Sequence, residues 1–325
     1  MRVLVTGATS RLGRGVAEAL VARGDEVVTL QRHASGLDGV TDYLADLGDS
    51  KPVQHAVTGA DAVIHLAAKV GIMGNHNDFI RINVAGTQQL LIAAHAAGVQ
   101  RFVQVSSPSV AHSGRSLFGV GAEVADPEGT RGSYARTKAS AELAALAANG
   151  PDFAVVAIRP HLVWGPGDTQ LVGRIVERAK QGRLALVGDG GALIDTTYLD
   201  NAVTALVAAV DRTPEIAGQA LVVSNGEPRP VAELVARICA AAGVPGPKLQ
   251  VPRRIATSVG SLVSAGWSLA KRSDEPPLTR FLAEQLGTAH WFDQRHTREA
   301  LDWAPHISLE EGFVRLAEFY RANPA

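Results

Sequence analysis

Three side chains in this sequence have the types and spacing to carry out chemistry together: Ser107, Tyr134 and Lys138. Tyr134 and Lys138 are four residues apart, so on a helix they share one face. A free tyrosine has a pKa of about 10 and is a poor base at neutral pH, but a nearby ammonium favours the phenolate. Ser107 could bind the same substrate oxygen and stabilise the charge that develops there. The set predicts proton transfer to or from a substrate oxygen. Without further motifs, the Tyr134–Lys138 pair would be an ordinary pair on a helix surface.

The elements that must position these residues follow an alternating pattern. Apolar runs at 3–6, 26–30, 62–66, 102–106 and 155–158 predict strands, and helical patterns fall at 13–23, 53–58, 83–97 and 134–148. Strands that alternate with helices indicate βαβ units and a parallel sheet buried on both faces. We therefore predict an α/β fold, a Rossmann-type doubly wound parallel sheet with a smaller, mainly helical C-terminal substrate domain.

The pattern changes after Pro160, which sets the predicted domain boundaries. Further elements are a helix at 172–181, a strand at 184–187, a helix at 200–210 and a strand at 220–223, followed by a proline-broken, mainly helical region. We predict an NAD(P)-binding Rossmann domain over 1–165, with 194–225 returning to it. Residues 166–193 and 226–325 form the predicted substrate-binding domain.

A glycine-containing turn follows the first predicted strand. It reads Thr6-Gly7-Ala8-Thr9-Ser10-Arg11-Leu12-Gly13 and opens the first helix, the context that a dinucleotide-binding turn requires. Gly7 permits a tight turn, Gly13 permits close packing of helix and strand, and the helix N-terminus attracts a pyrophosphate. The candidate cofactor-binding residues are Gly7, Thr9, Ser10, Arg11, Leu12 and Gly13. The three-glycine pattern has Ser10 at its middle position, and an ordinary strand-to-helix turn stays open as the alternative.

The residues after the second predicted strand bear on the choice of cofactor. NAD-binding folds usually carry an acid there for the ribose 2′-hydroxyl, whereas this chain has Gln31-Arg32-His33. Arg32, together with Arg11 in the glycine turn, would suit a 2′-phosphate. We predict that NADP(H) is preferred over NAD(H). The alternative is two solvated surface arginines.

Composition and charge exclude several classes of protein. The 31 basic and 32 acidic residues leave a net charge of −1, which provides no field for nucleic acid. Cys239 is the single cysteine, so no internal disulfide forms. The ten histidines, His290 and His296 included, show no metal-ligand spacing, and we predict no metal. A strand begins at once after Met1, with no secretory signal and no apolar stretch of about 18 residues, so we predict a cytoplasmic protein.

An ordered set of short motifs resembles the extended short-chain dehydrogenase/reductase family. The segments are Asp46-Leu47, His65-Leu66-Ala67-Ala68, Asn83-Val84-Ala85-Gly86-Thr87, Ser106-Ser107-Pro108-Ser109-Val110, Tyr134-Ala135-Arg136-Thr137-Lys138, Arg159-Pro160, Trp164-Gly165-Pro166-Gly167 and Tyr198-Leu199-Asp200-Asn201. The resemblance implies that Ser107, rather than Ser106 or Ser109, acts with Tyr134 and Lys138. It also implies that Lys138 holds the nicotinamide ribose, and that the cofactor site includes Asp46 and Leu47 at the adenine, with Ala67 and Pro160.

Within that family the chain resembles the 3β-hydroxysteroid dehydrogenase branch, and within the branch the bacterial 2-alkyl-3-oxoalkanoate reductases of olefin biosynthesis. Residues 159–170, 182–201, 224–228 and 275–291 carry this similarity. It implies NADP(H)-dependent reduction of a ketone to a secondary alcohol on a long-chain apolar substrate. A 3β-hydroxysteroid dehydrogenase, a sugar-nucleotide epimerase or dehydratase, and a non-catalytic nucleotide sensor remain alternatives. The resemblance also suggests a homodimer through helices 83–97 and 134–148, and pathway enzymes are further expected partners.

The expected substrate site lies at the mouth of the sheet. The candidate substrate-binding residues are Ser109, His161, Trp164, Asp195 and Thr197. His161 could bind a substrate carboxylate, or it could be a histidine satisfied by its neighbours. Residues 252–272 form an apolar helical segment with basic ends, which could pack on the core, cap an apolar channel or make peripheral contact with a membrane. Our hypothesis is that this segment and the loop at 164–170 line a tunnel that leads to Tyr134.

Overall fold

The computed structural model describes residues 1–71, 74–269 and 280–324. Its strands are β1 (Arg2–Thr6), β2 (Glu26–Gln31), β3 (Val40–Leu44), β4 (Ala62–His65), β5 (Arg101–Val105), β6 (Leu117–Val120), β7 (Ala154–Pro160), β8 (Val163–Trp164), β9 (Ala185–Val187), β10 (Leu193–Ile194), β11 (Thr197–Tyr198), β12 (Ala220–Val223), β13 (Arg229–Pro230), β14 (Leu249–Val251) and β15 (His290–Phe292). Its α-helices are α1 (Arg11–Arg23), α2 (Ser50–Val57), α3 (His76–Phe79), α4 (Gly86–Ala96), α5 (Ser133–Ala147), α6 (Val172–Lys180), α7 (Leu199–Arg212), α8 (Val231–Ala241), α9 (Arg253–Leu269), α10 (Arg280–Gly287), α11 (Arg295–Leu301) and α12 (Leu309–Ala322). A π-helical turn spans Ile80–Ala85, and a 3-10 turn spans Pro108–Ala111.

Seven parallel strands form the main sheet, in the order β12-β7-β5-β4-β1-β2-β3. Helices cover both faces, so the predicted Rossmann-type sheet is confirmed. The strand order reverses between β1 and β4, where the connections leave on opposite faces. In open α/β sheets a ligand binds in the crevice beyond the carboxyl ends of the strands at such a point.

The sheet is buried because its central strands are apolar on both faces. Val3, Val5 and Ile64 pack with Leu20 and Leu206 on the face covered by α1 and α7. On the other face a second cluster of buried side chains packs under α2 and α4, and it contains Leu4, Val28, Val63, Val53, Leu90, Phe102 and Phe153. Strand β3 lies at the sheet edge, where none of its side chains is fully buried. Its sequence therefore does not need an unbroken apolar run, and it has none.

The predicted helix 83–97 begins differently in the structure. A π-helical turn over Ile80–Ala85 precedes α4, and it turns Asn83 into the protein interior. The Asn83 side chain accepts from the Lys69 amide (2.7 Å) and donates to the Lys69 carbonyl (3.1 Å) and to Thr137 Oγ1 (3.1 Å). This side chain therefore ties the loop after β4 to α5, the helix that carries Tyr134 and Lys138.

A smaller four-stranded sheet, in the order β13-β10-β15-β6, lies outside the main sheet. Strand β6 leaves the Rossmann half of the chain and pairs in parallel with β15, so that Leu117 is in register with His290. The Leu117 amide donates to the Ala289 carbonyl (2.8 Å), and the Asp293 amide donates to the Val120 carbonyl (3.0 Å). Residues far apart in sequence thus build one wall.

Helix α9 occupies most of the 252–272 segment, while residues 270–272 lie outside the described residues. Ala256 packs with Val187 and Ala283, but Ile255 and Val259 are 55% and 42% exposed. Core packing therefore accounts for only one side of this helix. Within the described ranges, no helix combines the length and apolarity needed to cross a bilayer.

Candidate active site

A cleft of about 440 Å³ opens at the point where the strand order reverses. The turn after β1 forms its floor, and two features of position 7 require a glycine there. Its φ is +77°, and a Cβ there would lie 2.9 Å from the Ala67 amide nitrogen. A Cβ at Gly13 would lie 2.3 Å from the Gly7 carbonyl oxygen. Both glycines let the backbone pack closely enough to leave the cleft open, as a bound dinucleotide needs.

Ser10 fits the turn without obstructing the cleft. Its φ of −78° is allowed for any residue, and its hydroxyl is used locally. Ser10 Oγ donates to the Gly7 carbonyl (2.9 Å) and accepts from the Gly13 amide (3.1 Å), which makes it the N-cap of α1. The serine thus replaces the middle glycine as a helix cap, and the remaining first-turn amides and the helix dipole are left for a phosphate.

The structure brings most of the predicted cofactor residues to this cleft. Its lining includes Gly7, Thr9, Ser10, Leu12, Arg32, Asp46, Leu47, Ala67 and Pro160, together with Tyr134. Gly13 and Lys138 are not among them, and neither is Arg11. Its guanidinium donates to the Pro166 carbonyl and lies against Gly167, so it holds the loop after β8 to the start of α1. The sequence could not show this contact, because residues 11 and 166 meet only through the fold.

Arg32 is exposed at the rim of the cleft and forms no ion pair with any residue that the structure describes. Gln31, beside it, turns into the protein and donates to Thr29 Oγ1 (2.8 Å) and to Asp42 Oδ1 (3.0 Å). Asp42 also accepts from the amide and hydroxyl of Ser35. The carboxylate on β3 is therefore satisfied internally, and it is not part of the cleft lining.

Ser107, Tyr134 and Lys138 come together where β5 meets α5. A hydrogen bond joins Tyr134 and Ser107, and Lys138 Nζ donates to the Val105 carbonyl (2.6 Å). Burial raises the pKa of Tyr134 to about 12, although the Ser107 hydrogen bond acts in the opposite direction. Burial also lowers the pKa of Lys138 to about 8, while the Glu142 carboxylate opposes that shift. The phenol is thus protonated at neutral pH and available as a proton donor.

A buried ion pair, which was not predicted from the sequence, lies one helical turn beyond Lys138. Arg159 Nε is 2.9 Å from Glu142 Oε2, and Arg159 Nη2 is 2.5 Å from Glu142 Oε1. Arg159 Nη1 also donates to the Glu123 carbonyl (2.7 Å). Both charged side chains are almost fully buried, at 1% and 0% exposed. The spacing Lys138-x-x-x-Glu142 on one helix face was the available sequence signal.

A second, smaller cavity of about 190 Å³ adjoins Ser107 and Tyr134. Tyr134 lines both this cavity and the cofactor cleft, so its hydroxyl lies at their junction. The lining comprises Ser107, Pro108, Ser109, His112, Leu117, Tyr134, His161, Leu162, Gln285, His290 and Phe292. Ser109 Oγ is 3.0 Å from Ser107 Oγ, and His161 meets the Phe292 ring edge-on with centroids 5.0 Å apart. Of the predicted substrate-binding residues, Ser109 and His161 thus line this cavity.

Three other predicted substrate residues do not reach this cavity. Trp164 is buried against Phe313 and donates from its indole nitrogen to Thr196 Oγ1 (2.9 Å). Thr197 Oγ1 donates to backbone carbonyls, including that of His161 (2.7 Å). The Asp195 carboxyl accepts from the Ser224 hydroxyl (2.6 Å) and from neighbouring amides, and burial raises its pKa to about 6. All three anchor the loop behind the cavity.

The loop at 164–170 does not line the cavity either. Asp168 accepts from the amides of Gln170, Leu171 and Val172 and so fixes the start of α6. The cavity wall comes instead from β6, β15 and α10, through Leu117, His290, Phe292 and Gln285. The described part of the chain holds no group of three histidine, cysteine or acidic side chains arranged to bind a metal ion.

Comparison with known proteins gives this arrangement a context. The sequence profile of the NAD dependent epimerase/dehydratase family matches residues 3–223. The chain is 44% identical to a 2-alkyl-3-oxoalkanoate reductase of Stenotrophomonas maltophilia, over 97% of this chain and 98% of that protein. It is 35% identical to a 2-alkyl-3-oxoalkanoate reductase of Shewanella oneidensis, over 96% of this chain and 84% of that protein.

More distant proteins share the fold. The human sterol-4-alpha-carboxylate 3-dehydrogenase (decarboxylating) is 28% identical, over 98% of this chain and 88% of that protein. Among solved structures, MoeE5 in complex with UDP-glucose and NAD has a TM-score of 0.78 at 24% identity, covering 100% of both chains. These two similarities show the shared fold. The profile match and the identity to the two reductases show that the chain is an oxidoreductase and belongs to the NAD dependent epimerase/dehydratase family, of the extended short-chain dehydrogenase/reductase class.

Proposed function

We propose that this protein reduces the ketone of a 2-alkyl-3-oxoalkanoate to the secondary alcohol with NADPH. The observation that carries the proposal is the position of Tyr134 at the junction of the cofactor cleft and a small cavity. A proton donor between a hydride source and a substrate cavity is the arrangement that carbonyl reduction requires. The names of the two reductases that are 44% and 35% identical to this chain support the substrate class.

The residues of the cleft suit a nicotinamide dinucleotide, because glycines leave room at the floor and helix α1 begins there. When bound, the dinucleotide supplies the hydride. The turn from Gly7 to Gly13 would hold its pyrophosphate, Asp46 and Leu47 its adenine, and Lys138 its nicotinamide ribose. Ala67 and Pro160 would form the sides of the cleft.

Tyr134 acts as the acid in this proposal. Its raised pKa, about 12, keeps the proton on the phenol until negative charge develops on the substrate oxygen. Ser107, hydrogen-bonded to Tyr134, binds the same oxygen and orients it for proton transfer. The Lys138 ammonium, buried behind the pair, stabilises the phenolate that remains after the transfer. These proposed roles are those expected from the sequence, except that burial raises the pKa of Tyr134 where a nearby ammonium was expected to lower it.

A preference for NADPH rests on Arg32, and a matched pair of variants tests it. Arg32→Gln removes the guanidinium at the rim beside the predicted 2′-phosphate, so we expect KM for NADPH to rise about ten- to a hundredfold. KM for NADH should change little. The measurement is steady-state kinetics with each cofactor. Arg11→Gln is the control, because Arg11 is engaged by Pro166. Equal responses of both cofactors to Arg32→Gln would contradict the assignment.

The size of the cavity constrains the substrate. At about 190 Å³ it is below the roughly 300–1,000 Å³ of sites that enclose drug-sized ligands, so it has room for the reacting head group and not for two long chains. Gln285 on α10 forms part of the wall, and α10 packs against α9. We propose that the alkyl chains leave past these two helices, where Ile255 and Val259 are exposed. Because that face is apolar and exposed, we also propose that it makes peripheral contact with a membrane.

A series of 3-oxo acids with alkyl chains of increasing length tests this proposal. Each methylene that becomes buried should contribute about 0.8 kcal/mol, which is roughly a fourfold gain in kcat/KM until the apolar path is filled. The readout is NADPH absorbance. A 3-ketosteroid and a UDP-sugar serve as controls for the hydroxysteroid dehydrogenase and the epimerase alternatives. A response that is flat with chain length, or a preference for the steroid, would contradict the oxoalkanoate assignment.

We also propose a homodimer through α4 and α5. Each helix exposes an apolar side chain, Ile92 at 71% and Leu143 at 38%. Exposed apolar residues on two neighbouring helices are the feature that supports this contact.

A further inference from the structure

Three histidine rings line the substrate cavity and have no part in the ketone chemistry described above. His112 follows the turn after β5, His161 follows β7, and His290 lies in β15. The His112 and His161 rings each meet the His290 ring edge-on, with centroid distances of 5.4 and 5.5 Å. We refer to these three side chains as the histidine cluster. Its rings share one cavity with the hydroxyls of Ser107 and Tyr134.

Hydrogen bonds determine which nitrogen of two of these neutral rings carries the proton. A carbonyl oxygen only accepts, so a ring nitrogen bonded to one must be the donor. His161 Nδ1 therefore donates to the Asp195 carbonyl (2.5 Å), and His112 Nε2 donates to the Arg115 carbonyl (2.9 Å). The second nitrogen of each ring carries a lone pair and no proton.

The same reasoning applies to His290. The Thr288 hydroxyl donates its proton to the Glu284 carbonyl (2.7 Å), so it accepts from His290 Nε2 (3.1 Å). His290 Nδ1 is then the nitrogen without a proton, and it is buried without a hydrogen bond to any described residue, although the Gln285 backbone lies close to the ring. A buried polar atom of this kind is costly unless a ligand completes its hydrogen bonding.

The charges around the cluster leave it neutral in the free protein. Burial lowers the pKa of His161 to about 4 and that of His290 to about 2, and it also lowers the pKa of His112. The Arg131–Glu284 ion pair lies beside His112, and its two charges shift the pKa of His112 in opposite directions. No acidic side chain belongs to the described lining of the cavity.

One carboxyl lies behind the cluster, but its hydrogen bonds occupy it. The Asp195 oxygens accept from the Ser224 hydroxyl and from the amides of Gly226 and Glu227. Tyr134, the other titratable group at the cavity, is neutral with its pKa raised to about 12. A substrate carboxylate entering the cavity would therefore be the first unpaired negative charge beside the three rings, and it would favour protonation of one of them.

We propose that the histidine cluster binds the carboxylate of the substrate and takes up one proton from solvent as it does so. One ring then becomes an imidazolium, and its newly protonated nitrogen donates to the carboxylate in a charge-assisted hydrogen bond. In a 3-oxo acid the carboxyl carbon is two bonds from the ketone carbon. The carboxylate must therefore lie in the same small cavity as Tyr134 and Ser107, which is where the cluster is. This inference rests on the proposed function, because it names the subsite for the acid group of that substrate.

The first test compares a 2-alkyl-3-oxo acid with its methyl ester between pH 6 and pH 9. Only the acid needs the extra proton, so the ratio of its kcat/KM to that of the ester should fall by up to about tenfold per pH unit. Titration of Tyr134 and Lys138 affects both substrates alike and cancels in the ratio. A ratio that does not change with pH would overturn the inference.

The second test uses variants that keep the outer hydrogen bonds of the rings. His161→Asn retains a donor for the Asp195 carbonyl, and His290→Gln retains a donor for Thr288. Neither new side chain can become a cation. The loss of kcat/KM for the acid should exceed the loss for the ester by about ten- to a hundredfold. His296→Gln is the control, since His296 is on α11 and bonds Gln219 Oε1 (3.0 Å) away from the cavity.

Thermal unfolding establishes that each variant is folded, and the acid-to-ester comparison in the wild-type protein does not depend on the variants. Equal losses for acid and ester would overturn the histidine subsite alone and leave the ketone reductase in place. If the wild-type protein reduced neither substrate but reduced the ketosteroid, the proposed function would fail and the inference with it.

Discussion

Tyr134→Phe is expected to lower kcat for ketone reduction by about 10²–10⁴, the range for removal of a general acid. The substitution keeps the ring, which lies between the cofactor cleft and the substrate cavity, and removes only the hydroxyl that is bonded to Ser107. Binding of NADPH should be nearly unchanged, because the phenylalanine keeps the ring that lines the cleft and the other lining residues are untouched. Steady-state turnover and a fluorescence titration with NADPH would measure the two quantities separately.

Tyr198→Phe is the matched control. Tyr198 is buried against Trp164, with ring centroids 5.5 Å apart, and it lines neither the cleft nor the cavity. Removal of the Tyr198 hydroxyl should leave kcat close to that of the wild-type protein. A Tyr134→Phe variant with turnover similar to the control would remove Tyr134 from the mechanism and leave the proton without a source.

Arg159→Met is expected to lower the free energy of unfolding by about 3–5 kcal/mol, because it leaves the Glu142 carboxylate buried without its partner. Glu142 is 0% exposed, and two hydrogen bonds from Arg159 satisfy its oxygens. Urea denaturation followed by circular dichroism would measure the change. Arg295→Met breaks a pair with Asp293 at the surface, where Arg295 is 91% exposed, and should cause a far smaller loss.

The double variant Arg159→Met, Glu142→Leu separates the two sources of this cost. Replacing both charges with apolar groups of similar size removes the buried unpaired carboxylate, so much of the lost stability should return. If the double variant were as unstable as Arg159→Met, packing rather than charge would account for the loss.

The sheet and the cofactor cleft could be predicted from the sequence because their signals are local. Mainly apolar runs define β1, β4 and β5, and the glycine turn joins a strand to a helix within eight residues. Strand β3 has no such run, since it lies half exposed at the sheet edge, and it was absent from the predicted strands.

The substrate cavity could be predicted only in part, because its wall is assembled from distant segments. His161 follows the Arg159-Pro160 motif and was identified. His290 contacts the His161 and His112 rings, and its strand β15 reaches them only by pairing with β6. Asp195 and Thr197 carry polar groups suited to binding a ligand, yet these groups are hydrogen-bonded to backbone groups of the protein itself. A sequence reveals that a residue is polar, but not which neighbours will satisfy it.

The pairing of β6 with β15 has a consequence for how the protein folds. Leu117 and His290 are 173 residues apart, and closing so long a loop is entropically costly and slow compared with the local βαβ contacts. The nucleotide-binding sheet can therefore form before the substrate cavity exists. During synthesis on the ribosome, a chain that has emerged only as far as β12 already has the strands of its main sheet, but it still lacks His290 and Phe292. Such an intermediate would be able to hold a dinucleotide and unable to hold a substrate.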